Sequence, residues 1–276
     1  MKTLKISVIA LFLVTSVVFS AYFLYDRLTV DHVAPEIVSD GIPLEVSVKA
    51  TDRELCAGLT ATDDRDGDIT DRIIVRRVSQ LIGANSAIIN YAVFDSASNY
   101  CTFSRSVYYT DYCKPHFELV QPLIYNVSST ISLSDRLTAT DVIDGDITSR
   151  IRIAASTLSN AQTGEYPISV QVTNSSGDTS IAALTVQVQN VTQQHPLIRL
   201  SQYLIYVKQD STFSEETLRD YIVEARTSAK GDALAVSDIT IDGTVDTSVT
   251  GSQFIRYSYT NERDLTYTVI LTVIVE

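Results

Sequence analysis

The sequence predicts an all-β molecule: three antiparallel β-sandwiches in tandem behind one N-terminal transmembrane helix. Three observations carry that prediction. The segment from Leu59 to Thr70 returns 78 positions later as Leu137 to Thr148, an internal repeat of domain size. The stretches after each copy alternate apolar and polar residues with a period of two. Finally, residues 6–25 form a 20-residue apolar run without a charge.

About 20 apolar residues suffice to cross a bilayer as a helix. Lys2 and Lys5 precede the run, and Asp26 and Arg27 come after it. The excess of positive charge before the run predicts a cytoplasmic tail at 1–5, a transmembrane signal anchor at 6–25 and an external C-terminus, so a single pass through the cell membrane. A cleaved secretory signal is the second reading, because Val18-Phe19-Ser20 before Ala21 suits a small-residue cleavage site. The apolar character continues through Tyr22-Phe23-Leu24-Tyr25, with aromatics suited to a membrane boundary, and this favours the anchor. Both readings export the rest of the chain.

Three modules come next, at 33–112, 113–192 and 195–276, opening at Ala34-Pro35, Lys114-Pro115 and His195-Pro196. Proline restricts the residue before it and holds each opening extended. In each module an alternating strand ends at an acid or its amide: Ile89, Tyr91 and Val93 before Asp95; Tyr166, Ile168, Val170 and Val172 before Asn174; Ile255, Tyr257 and Tyr259 before Asn261. After a short polar turn a second alternating strand closes the module, over 103–109, 182–188 and 267–275, which is a hairpin pattern. The third module carries an eroded acidic segment, Ala225 to Asp232, and an insertion from Ser214 to Glu224. Ser214 as N-cap, Glu215 and Glu216 behind it, and Leu218 and Ile222 four apart predict a helix of two to three turns there. Short strands, no long amphipathic helix beyond the first, and about 80 residues per unit indicate two-sheet sandwiches of immunoglobulin type. A strand of about eight residues is roughly 27 Å long, so three modules end to end would reach on the order of 100 Å.

The motif Ala-Thr-Asp-x-x-Asp-Gly-Asp-Ile-Thr stands at 61–70 and 139–148. With the later Gly-x-Tyr-x-Ile-x-Val-x-Val strand at 164–172 and its Asn turn, it resembles the Ig-like repeat of bacterial surface proteins, as in pesticidal crystal protein Ig-like domains, and is similar to hyalin-type repeats. The resemblance covers nearly all of residues 33–276 and is most specific over the first two modules. Ser98-Asn99 replaces the usual Gly-Asn, and the third module has lost the acidic motif. What the resemblance implies is an extracellular stalk or adhesion module without enzymatic activity, whose partner is an unidentified extracellular protein or glycan.

Charge narrows the partners. The net charge is −12; setting aside Lys2 and Lys5 leaves 19 basic against 33 acidic groups, or −14 for the remainder. Such a balance disfavours nucleic acid and anionic membrane surfaces. No nucleophile motif of the Gly-x-Ser-x-Gly kind occurs, and paired carboxylates in a tight turn offer no cleft, so the chain is read as not an enzyme. The alternative function is an accessory carbohydrate-binding module supporting a cell-wall or polysaccharide-processing system, with a flat row of surface aromatics as its mark. For the stalk or adhesin, binding is expected in the outermost, third module, around Tyr203, Tyr206, Tyr257 and Tyr259, and packing of the same rings inside the sandwich is the other reading. Asn126, Asn174 and Asn190 stand in Asn-x-Ser/Thr triplets that would accept glycans in a secreted eukaryotic protein.

Two sets of residues remain. Asp63, Asp66 and Asp68, with their counterparts Asp141, Asp144 and Asp146, crowd three carboxylates around a glycine, which could gather oxygens on calcium, the one candidate cofactor. The same pattern also suits a tight turn whose aspartates accept their own backbone N–H groups. Thr227 and Lys230 replace carboxylates in the third copy while Gly231-Asp232 persists, which favours the turn. Among Cys56, Cys101 and Cys113, an odd number in an exported chain, Cys56 and Cys113 fall at the same pole of a sandwich. Their disulfide would contribute about 3 to 4 kcal/mol. Three small buried thiols are the equal alternative. His32, His116 and His195 lie near the junction prolines, too far apart for one metal site.

Overall fold

A computed structural model describes residues 2–29, 31–83, 85–156, 158–214 and 216–276. The chain divides into two compact units, Met1–Tyr112 and Cys113–Glu276.

The first unit begins with α1 (Lys2–Thr29). Every side chain from Ile6 to Tyr25 is exposed. A helix that is apolar all round and buries none of that surface in protein has the length and composition to cross a membrane. Residues 2–5 of the expected tail are part of this helix, and Met1 lies outside the described residues.

Behind it come β1 (Glu36–Ser39), β2 (Leu44–Val46), α2 (Asp52–Leu55), β3 (Leu59–Asp63), β4 (Gly67–Asp68), β5 (Ile74–Val78), β6 (Ser86–Phe94) and β7 (Tyr100–Tyr109). They form two sheets, β1-β3-β4 and β2-β7-β6-β5. The expected alternation fixes the faces. Ile89, Tyr91 and Val93 of β6 and Val107 of β7 are fully buried with Leu59 and Ala61 of β3 in one core. All neighbours pair antiparallel except β2, which runs parallel to β7. The single turn α2 has no helical period to announce it, although Thr51 and Glu54 form a capping box at its start.

The second unit repeats the plan twice. Its first half holds β8 (His116–Leu119), β9 (Ile124–Asn126), β10 (Leu137–Asp141), β11 (Gly145–Asp146), β12 (Arg152–Ser156), β13 (Gly164–Thr173) and β14 (Thr179–Gln189). Its second half holds β15 (Leu197–Leu200), β16 (Leu204–Val207), α3 (Thr217–Asp220), β17 (Ile222–Arg226), β18 (Thr240–Asp242), β19 (Gly251–Thr260) and β20 (Thr266–Val275). The sheets are β8-β10-β11 with β12-β13-β14-β9, then β15-β17 with β16-β20-β19-β18. The parallel pairing of β2 with β7 recurs as β9 with β14 and β16 with β20. All-β sandwiches of immunoglobulin type, three times over behind an apolar helix, are therefore the fold.

Two expectations fail here. The helix in the third repeat is a single turn, Thr217–Asp220, with Glu216 at the N-cap position and no side-chain cap, while Ser214 Oγ, two residues before that position, accepts the Glu216 amide; Glu215 lies outside the described residues. Ile222 opens β17, where β-branched Ile222 and Val223 are better placed, and only Leu218 buries its side chain from the turn. Second, the last two repeats are not end to end. They share one hydrophobic core cluster that includes Leu184, Ile205 and Ile274. The Ala183 amide donates to Ser252 Oγ, the Gln189 side-chain amide to Thr268 O, and Arg256 pairs with Glu165. Rising numbers along β14 thus meet rising numbers on β19 and falling ones on β20, so the closing strands of the two repeats lie antiparallel, outer face toward outer face. His116 Nε2, at the start of one repeat, meets Glu276 Oε1, at the end of the other, at 2.7 Å.

Candidate functional site

The acidic motif folds as a β-hairpin in both copies, with Asp63 opposite Gly67 and Asp141 opposite Gly145. Gly67 and Gly145 sit at φ 73° and 71°, the left-handed region that a side chain disfavours. Each aspartate then has its own task. Asp63 Oδ1 accepts the Arg65 and Asp66 amides, as Asp141 Oδ1 accepts those of Ile143 and Asp144. Asp66 accepts the amide and hydroxyl of Ser96 at 2.7 and 2.6 Å and the Arg72 guanidinium. Asp144 does the same with Ser175 and Arg150. Asp68 and Asp146 accept from Thr70 and Thr148, whose hydroxyls in turn accept the Ala61 and Ala139 amides.

The motif is thus a set of clasps that fasten the hairpin to the turn between the last two strands. Hydrogen bonds from Ser96 hold the Asp66 carboxyl below its usual range. At Asp144 burial acts upward, and the Ser175 and Arg150 hydrogen bonds together outweigh it. Threonine hydrogen bonds lower Asp68 and Asp146. The structure does not bring Asp63, Asp66 and Asp68, or Asp141, Asp144 and Asp146, around a common point.

One of the six does face other carboxylates. Asp63, Asp31 and Asp95 place one oxygen each within 4.8 Å of one another. Asp31 and Asp95 are 8% and 7% exposed. Asp95 accepts the backbone and side-chain amides of Asn99, and the Val33 amide donates to Asp31 Oδ1. Asp63 Oδ2 is fully buried and lacks a hydrogen-bond partner. In the second repeat the corresponding oxygen, Asp141 Oδ2, accepts from Asn174 Nδ2 at 3.1 Å. The third repeat has Asn261 there, donating to Thr227 O and Gln194 O. Sequence reasoning missed Asp31 and Asp95; the signal was an acid at Asp95 where the other two repeats carry an amide.

The remaining candidates resolve into packing. Tyr257 is fully buried and donates to Leu218 O, while Tyr203 is 8% exposed. Tyr206 packs against the core with its hydroxyl accepting the Phe117 amide, and Tyr259 packs there also. Asn174 is 4% exposed and spent on Asp141, which removes it as a glycan acceptor. No disulfide is present among the described residues: the Cys56 and Cys101 thiols are half-buried against the first core and Cys113 is exposed. The expected Cys56–Cys113 bridge is not formed, and burial pushes the Cys56 thiol up. A cavity of about 940 Å³ in the second unit is lined by Tyr125, Asp135, Arg136 and Tyr203 among others. Arg136 stacks over Tyr125 and donates to the Pro122 and Ile124 carbonyls, which ties it to the fold.

Exposed aromatics lie instead on the first unit, Phe94 and Tyr100 side by side at one end of the hairpin and Tyr108 at the other. On the outer face of β6 and β7, Phe94, Tyr100 and Tyr108 are 45%, 60% and 43% exposed. The Phe94 and Tyr100 rings lie 5.8 Å apart, tilted by 35°. Tyr108 corresponds to Gln187 and Ile274 in the later repeats, which are 4% and 7% exposed.

No family model matches the chain, and no curated protein does. Among solved structures it is similar to the CBM51-2 and INT domains of Clostridium perfringens ZmpB, at 20% identity over 56% of this chain and 26% of that one, with a TM-score of 0.27. It is also similar to protocadherin gammaB7 EC3-6, at 12% identity over 88% and 74%, TM-score 0.20. A third is the lipoprotein BT2262 of Bacteroides thetaiotaomicron, at 13% over 86% and 98%, TM-score 0.20. The chain spans only 26% to 38% of the ZmpB chains it matches.

Proposed function

We propose that this chain is a membrane-anchored surface module that binds an extracellular protein through the open sheet face of its first unit, without catalysis of its own. One observation carries the reading. The outer face of β5, β6 and β7 leaves Ile74, Ile88, Phe94, Tyr100 and Tyr108 exposed, whereas the matching faces in the second unit are used to pack two repeats together. Phe94 and Tyr100 pair at one end of this face, near Ile74 on β5, while Ile88 and Tyr108 lie at the other end; an exposed apolar cluster such as the first marks an interaction site. Large rings are the side chains that most often anchor such contacts. The apolar helix α1 would hold this face outside the cell.

The test is adhesion. Beads carrying the whole chain in lipid nanodiscs are expected to attach to cells bearing the partner, and the double substitution Phe94→Ser and Tyr100→Ser is expected to abolish attachment with melting temperature unchanged. Equal attachment by the double variant would refute the reading. A glycan partner is the second reading, supported by the adjacent Phe94 and Tyr100 rings; saturable binding on a glycan array, lost in the same variant, would select it. Topology is checked separately by protease protection of residues 31–276 in sealed vesicles.

A further inference from the structure

We propose that Asp31, Asp63 and Asp95 form a calcium site that fastens the segment leaving α1 to the first sandwich. Three carboxylates converge in a largely buried place, and like charges so close repel strongly at reduced dielectric. The cation paired with them is Arg65, whose Nε lies 3.9 Å from Asp31 Oδ2 and whose side chain is 44% exposed, too far and too wet to offset three charges. A fully buried carboxylate oxygen without a hydrogen bond is a rarity that calls for a ligand. The oxygens lie within 4.8 Å of one another. Calcium–oxygen bonds of about 2.3–2.6 Å put opposite ligands about 5 Å apart, and an all-oxygen set of ionised carboxylates is the donor chemistry calcium takes.

The second repeat supplies an internal control. At the position of Asp95 it has Asn174, whose amide hydrogen occupies the lone pair of Asp141 that Asp63 leaves open. A neutral donor there makes a cation unnecessary, and an acid makes one useful. Asp31 belongs to the stretch between α1 and β1, and its carbonyl accepts from Asn99 while Thr29 O accepts from Arg65. A cation bridging Asp31 to Asp63 and Asp95 therefore closes this stretch onto the hairpin and onto the turn after β6. The ligand set differs from the Asp63, Asp66 and Asp68 triplet of the hairpin and shares with it only Asp63.

The test uses the whole chain in detergent micelles, stripped with EDTA and titrated calorimetrically with calcium chloride and, separately, magnesium chloride. One saturable calcium site is expected, with a dissociation constant on the order of 10⁻⁴ to 10⁻³ M as in extracellular modules, together with a rise in melting temperature and protection of residues 31–35 from protease. Asp95→Asn is expected to weaken calcium at least tenfold and remove both effects, while its calcium-free melting temperature equals or exceeds that of the native chain, because the new side-chain amide can donate to Asp63 as Asn174 does to Asp141. Asp68→Asn keeps the calcium response. The proposal is overturned by a flat calcium titration of the native chain, by an undiminished response in Asp95→Asn, by loss of the response in Asp68→Asn, by a response to magnesium alone, or by calcium binding that leaves residues 31–35 as cleavable as before.

Discussion

At the scale of single residues the chain uses carboxylates as clasps, and this gives it an acid weakness. The shifts at Asp66, Asp68, Asp111, Asp144, Asp146 and Asp246 are all downward, with hydrogen bonds to the ionised form as the lowering cause. A carboxylate whose folded pKa lies below its unfolded value stabilises the fold above that unfolded value, about pH 4, and the contribution drains away as pH falls through the folded pKa. Melting temperature in EDTA is therefore expected to be level from pH 7 to about 5 and to fall steadily below about pH 4. A curve that stays level to pH 2.5 would contradict this. Asp144→Ala removes the two Ser175 hydrogen bonds and the Arg150 pair from a side chain only 12% exposed and is expected to cost about 1 to 3 kcal/mol in chemical denaturation. The same substitution should also flatten the acid limb of the curve.

At the scale of elements, what could be read in the sequence was whatever repeats or alternates. The strand pairs ending at Asp95, Asn174 and Asn261 follow from period-two burial, and each hairpin lies where the alternation placed it. The single turn α2 was not legible in the same way, because four residues are too few to show a helical pattern, and the pattern over α3 overstates its length because Ile222, four after Leu218, belongs to a strand. Nor was the reason for the persistent Gly-Asp pair. Gly67 and Gly145 need a left-handed backbone and have open space around them, whereas Gly231 does not adopt that backbone and is crowded: a Cβ there would stand 2.3 Å from Thr227 Oγ1 and 2.8 Å from the Ser228 amide nitrogen. One dipeptide thus serves two physical ends. Gly145→Ala is expected to cost about 1 to 2 kcal/mol from backbone conformation alone. Gly145→Asn should recover part of that, since asparagine tolerates the left-handed region. Gly231→Asn should recover nothing relative to Gly231→Ala. Urea midpoints for the four variants decide it, and rescue at both positions would mean that the two turns share one geometry after all.

At the scale of the whole chain, the packing of the last two repeats escaped the sequence because it depends on outer strand positions. Alternation marks those positions as solvent-facing. Gln187, Thr272 and Ile274 occupy them and are 4%, 2% and 7% exposed, and a lone glutamine or threonine carries no sign that a second sheet will cover it. Val269 to Val275 does carry a sign: an apolar-rich run in which Ile270 and Ile274 break the alternation is what burial on both faces looks like. The consequence is measurable in solution. A compact body of residues 113–276 should have a radius of gyration of about 15 Å, whereas two sandwiches of half that size placed end to end would give roughly 20 Å or more. Small-angle scattering on that fragment is expected to return the smaller value. Ile274→Asp sets a charge into the shared face and is expected to move the radius toward the larger one while each sandwich keeps its own inner layer. A native fragment already at the larger value would show that the two repeats do not hold together as one body.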